Sequence, residues 1–129
     1  MSYSFQHTIP KGANVVRIQS DLSPAALFGN ASSLLIREGF GFNQLDSSAL
    51  TLETDAVPVG QSKTPLRVSL HVEPGKLGSE LEATGRTLQA LGTWGPAGNT
   101  SDGKAKTAFQ ELVMLMGQIP NREVSYKTN

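Results

Sequence analysis

From Leu66 to Glu73 the chain alternates strictly: Leu66, Val68, Leu70 and Val72 are apolar, while Arg67, Ser69, His71 and Glu73 are polar. A period of two sends the first set to one face of a strand and the second to the other. Residues 65–73 are therefore predicted to be a strand with one face in a core. Pro74-Gly75-Lys76 turns the chain, and 79–88 reads as the hairpin partner, with Leu81 and Ala83 inward and Glu80, Glu82 and Thr84 outward. Such a hairpin brings outward Arg67 and His71 toward Glu80 and Glu82, in exposed pairs that contribute roughly 0.2–1 kcal/mol each. Small Ala83 and Gly85 leave room for a helix above this strand.

Two other segments follow a helical period. Ser23-Pro24 matches an N-cap followed by the first helical position. Leu27, Ala31, Leu34 and Leu35 then form an apolar stripe that Phe28 widens. Gly39 is a left-handed terminator, with Phe40 placed to pack back on the last turn. Gly29, inside this helix, is expected to cost about 1 kcal/mol relative to alanine and to permit close approach to the sheet. The second helix is capped by Ser101 or Asp102. It buries Ala105, Ala108, Phe109, Leu112, Met116 and Ile119, with Val113 and Leu115 at the margins, and stops at Pro120.

The remaining signals are shorter. Residues 14–19 read as a strand with Val16 and Ile18 on one face, 40–45 as a strand, and 46–48 as a turn. Leu50 and Leu52 share a face of a strand over 49–54, 58–63 is a loop, and glycine-rich 91–103 is the main flexible connection. The division expected is an irregular segment at 1–13, one domain at 14–120 and a polar tail at 121–129. Strands grouped between two helices predict an α+β fold. Its order is strand-helix-strands-helix, with an antiparallel sheet carrying both helices on one face as a two-layer sandwich.

A length of 129 residues fits one domain, and 38% hydrophobic with 17% charged residues is neither disordered nor membrane-like. Eleven basic residues balance eleven acidic ones, and the basic residues are scattered, so no field exists to gather nucleic acid. The absence of cysteine excludes disulfides, thiolate catalysis and cysteine-bound metals. No apolar run is long enough to insert into a bilayer. The start, Met1 to Gln6, lacks a basic segment and an apolar run, so the chain as given reads as cytoplasmic. Removal of an upstream leader would make it periplasmic or envelope-anchored.

Candidate chemistry is sparse. Gly98 to Ala105 has the spacing of a phosphate-binding loop, but Ala105 stands where a hydroxyl should hold magnesium, and Asp102 adds negative charge. A glycine-rich connection into a capped helix explains it. Gly39-Phe40-Gly41-Phe42 follows a helix and reads as a helix stop with aromatic core residues. His7 and His71 have no metal-ligand spacing, and His71 falls at an outward strand position. Glu80/Glu82 and Glu53/Asp55 place acids on one strand face, as a solvated sheet also does. No serine lies in Gly-x-Ser-x-Gly. Trp94, the single tryptophan, closes one end of the core or stands as an exposed aromatic anchor.

The runs Leu34-Leu35-Ile36-Arg37-Glu38-Gly39-Phe40 and Leu50-Thr51-Leu52-Glu53-Thr54, with the strand from Leu66 to Val72, resemble small bacterial envelope lipoprotein domains. The likeness, over Val15 to Ile119, is to the helix-grip domains of BamC, an accessory lipoprotein of the outer-membrane assembly machinery. The chain departs from it in having no lipidation cysteine. The resemblance implies a protein-binding module and carries over no functional residue.

The function expected is non-catalytic protein binding or self-assembly, with Trp94, Arg67 and His71 as interaction residues and no metal or cofactor. The alternative is a small apolar ligand held between the sheet and the C-terminal helix, in a gap left by Ala83, Gly85, Ala105 and Ala108. An enzyme is not expected, since no catalytic constellation is present.

Overall fold

A computed structural model describes residues 4–5, 9–89 and 92–129, which leaves His7, Leu91 and parts of the expected lead-in outside the described residues. The elements are β1 (Ser4–Phe5), β2 (Val15–Ser20), α1 (Pro24–Arg37), β3 (Phe42–Asp46), β4 (Thr51–Thr54), β5 (Val57–Val59), β6 (Thr64–Pro74), β7 (Ser79–Leu88), β8 (Trp94–Pro96), α2 (Gly103–Gly117) and β9 (Glu123–Lys127). The strands run β1-β9-β2-β7-β6-β4-β3, with β5 added to β6 and β8 to β7. All pairings are antiparallel except β1 with β9. The class is α+β, as the sequence predicts.

The β6–β7 hairpin anchors the architecture. Leu66, Val68, Leu70 and Val72 are buried on β6, and Leu81 and Ala83 on β7. They meet Leu27, Phe28, Ala31, Leu34 and Leu35 of α1 and Ala108, Phe109, Leu112 and Met116 of α2 in one cluster. Burying a side chain of this size contributes about 1.5–3 kcal/mol, so the two helices are held chiefly through this face. Gly85 fits because a side chain there would come 2.8 Å from Leu66 Cδ1 and 3.5 Å from Leu112 Cδ2.

Helix α1 forms where its caps say it should. The Ser23 hydroxyl accepts the Ala26 amide at 3.2 Å. At the other end the Gly39 amide donates to Ile36 O and the Phe40 amide to Leu35 O, the paired bonds of a Schellman stop, with Gly39 at φ 94°. Phe40 is buried against the same core as Leu35. Gly29 differs from expectation: nothing lies within 4 Å of where its side chain would be, so it faces outward and permits no approach to the sheet.

Five further segments depart from the sequence reading. The segment at 1–13, expected to be irregular, contains β1, paired with β9, and ends at Ala13, which is fully buried in the core. Leu50 sits at φ 56°, before β4 rather than in it, and its carbonyl accepts the Val72 amide at 3.0 Å. The expected loop at 58–63 contains the end of β5, an edge strand that tolerates Pro58 for that reason. The expected flexible connection contains β8, paired with Arg86 to Leu88, and Ala97, which is fully buried. The expected polar tail carries β9, which pairs with β2 and buries Val124. Tyr126 meets Phe109 edge-on at 6.5 Å, and burial pushes its hydroxyl pKa up.

Candidate functional site

Both helices take the inward face of the sheet, and the outward face of β2, β9, β7, β6 and β4 carries the polar side chains. Two groupings stand on it. In the first, Glu82 Oε2 accepts from Arg17 Nη2 at 2.9 Å and lies 3.1 Å from Lys127 Nζ, while Arg17 Nε is 3.7 Å from Glu80 Oε1. Gln19 donates to Glu80 as well. The register explains the set: Arg17 faces Glu82 and Gln19 faces Glu80 across β2–β7. Partial burial pushes the Glu82 carboxyl up, but hydrogen bonds from Arg17 and Lys127 outweigh it and hold the group below its ordinary value. The Arg17 guanidinium is correspondingly raised, first by its hydrogen bond to Glu82.

In the second grouping, Arg67 Cζ lies 4.2 Å from the centroid of the Trp94 ring. Arg86 Nη2 donates to the Trp94 carbonyl oxygen at 3.4 Å. Trp94 is half-buried and lies opposite Leu88 on the outward face, outside the core cluster, so it does not close one end of the core. The expected meeting of Arg67 with Glu80 and Glu82 does not occur. The turn closes at Pro74 opposite Ser79, and the register that follows sets Arg67 opposite Arg86, Glu73 opposite Glu80 and His71 opposite Glu82.

Between the groupings is a shallow concavity of about 340 Å³, lined by Val15, Gln44, Thr51, Ser69, His71 and Glu82. His71 is exposed on its rim side of β6, apart from the Arg67–Trp94 contact. Glu82 already carries two cations, which suits it to structure rather than to proton transfer. Among the described residues no group of three or more metal-ligating side chains is assembled.

The other motifs resolve into structure. Asp102 Oδ1 accepts the Lys104 amide at 3.0 Å, taking one of the donors an anion would need at the start of α2. The Gly98 amide donates to Ala105 O. The space between sheet and α2 is filled by Phe109, Leu112 and Met116, each fully buried.

Sequence reasoning singled out Arg67, His71 and Trp94 but missed Arg86, Arg17 and Lys127. Arg86 shares the parity of Glu80 and Glu82 on β7, a signal that was present. Lys127 could not be placed before β9 was known to be a strand. Among the described residues no helix is long and apolar enough to cross a membrane. No family model matches the chain, and no curated protein is significantly similar to it.

Proposed function

We propose that this chain is a non-catalytic protein-binding or assembly domain that works through the outward face of its sheet. The observation that carries the reading is the one-sided packing: both helices cover the inward face, while the opposite face presents fixed charges and an aromatic ring. Edge strand β3 supports it too, since among the described residues it pairs only with β4 and leaves its other backbone edge open. The resemblance to envelope lipoprotein domains implies the same kind of work. A small apolar ligand is disfavoured, because the gap it needs is taken up by Phe109, Leu112 and Met116.

The test is sedimentation of the purified chain over a concentration series, with cross-linking mass spectrometry of the chain alone and in its native lysate. Cross-links through Lys127, on the outward face, are expected, with Lys104 and Lys106 of α2 left unlinked. A chain that stays monomeric and forms no outward-face cross-link in either setting ends the proposal.

A further inference from the structure

We propose that Arg67, Arg86 and Trp94 form a docking point for an acidic segment of a protein partner. The inference rests on the protein-binding reading and names the chemistry its partner must supply.

Arg67 and Arg86 are directly opposite each other across β6–β7. Like charges so placed destabilise a sheet. Elsewhere on this face the cations are matched: Arg17 and Lys127 share Glu82, and Arg17 also approaches Glu80. Neither Arg67 nor Arg86 is within ion-pair distance of a carboxylate among the described residues. The two guanidiniums therefore concentrate positive charge at one end of the face with no carboxylate in ion-pair contact; Glu53, opposite Ser69, is the nearest outward acid on β4, and Glu73, Glu80 and Glu82 lie toward the other end.

Both groups are also positioned. Arg67 is stacked on the Trp94 ring and Arg86 is tied to the Trp94 carbonyl, while both side chains stay exposed. Holding a long side chain in place before binding removes part of the ordering cost that association would otherwise carry. Two adjacent guanidinium forks match carboxylates, which they grip through paired N–H donors. The chain as a whole has no net charge, so it supplies no long-range field for a nucleic acid polyanion. A short acidic stretch of polypeptide is the occupant that fits.

The single tryptophan makes the site its own reporter. The intact chain is titrated at low salt with a Glu-Ser repeat peptide, following Trp94 fluorescence and binding heat, with a Gln-Ser repeat and inorganic phosphate as comparisons. Saturable binding of the Glu-Ser peptide is expected. It should weaken with added salt and fall roughly tenfold or more in Arg67→Gln and in Arg86→Gln. Arg67→Lys should keep part of the affinity, since it retains charge but loses the fork. Circular dichroism of each variant checks that the fold is intact, as exposed positions lead one to expect.

Equal binding of the Gln-Ser peptide, no saturation at low salt, or affinity unmoved by both glutamine variants overturns the proposal. Phosphate binding as tightly as the peptide and displacing it also overturns it, because the site would then read a small anion. If the peptide fails while outward-face cross-links to a partner form, this inference falls and the protein-binding reading stands. If both fail, both fall.

Discussion

The hydroxyl of Thr54 accepts the backbone amide of Val68 at 2.9 Å, with both residues fully buried. Strand β4 pairs with β6 from Thr51 to Glu53, and β5 takes over from Val57. Thr54 sits at the break between the two ladders and supplies from its side chain the acceptor that a backbone carbonyl would have given.

Thr54→Val keeps the shape and removes that acceptor, leaving a buried amide without a partner. We expect a loss of about 1–3 kcal/mol in urea denaturation. Thr54→Ser should retain most of the stability. Equal midpoints for the valine variant and the parent would show that the bond contributes nothing.

Two glycines should respond with opposite signs. At Gly78 a side chain would lie 2.7 Å from the Asp21 carbonyl oxygen and 2.9 Å from the Leu22 oxygen, and backbone atoms cannot swing aside. Gly78→Ala is expected to cost about 1–3 kcal/mol. Gly29 faces open space inside α1, so Gly29→Ala should stabilise by up to about 1 kcal/mol. Thermal melts of the two variants decide both signs; a neutral Gly78→Ala would mean the turn relaxes freely.

Acid should weaken the fold through Glu82 and Asp46. Glu82 is held below its ordinary 4.5 by Arg17 and Lys127 against the effect of burial, and Asp46 below 3.8 by the Ser48 hydroxyl and the amides of Ala49 and Ser48. With the folded pKa depressed, the unfolded chain takes up protons first as pH falls. The stabilisation is thus complete above about pH 5 and is lost as pH drops through the folded values. Urea midpoints measured from about pH 6 to about pH 3 should fall, and more gently for Glu82→Gln. An identical acid slope in that variant would remove Glu82 from the account.

Ending the chain at Pro120 removes β9, and with it the burial of Val124 and the contact of Tyr126 with Phe109. A loss of at least about 2 kcal/mol is expected. The exposed edge of β2 should also promote self-association visible by light scattering. A truncated chain that melts with the parent and stays dispersed would show that β9 is dispensable.

The strong elements were legible because their signals are local. Alternation from Leu66 to Val72 marks β6, and Ser23-Pro24 with Gly39-Phe40 marks both ends of α1. β9 was not legible, because its outward residues are polar and only Val124 and Tyr126 point inward. Its strand state comes from the open edge of β2, which no local pattern reveals. β8 is hidden by Gly95 and Pro96 and exists because β7 extends past the end of β2. The candidate site was half legible. Parity put Arg67 outward, but its neighbour depends on where the hairpin turn closes, and that is a matter of register rather than composition.

Strand β2 has β7 on one side and β9 on the other, so one of the first strands to be made takes its neighbours from the middle and the end of the domain. Its ladders close only after long loops have been brought together, the kind of connectivity that slows folding. During synthesis the segment from Val15 to Ser20 finds its first partner only when residues 79–84 have been made, and its other edge stays open until residues 123–127 have left the ribosome.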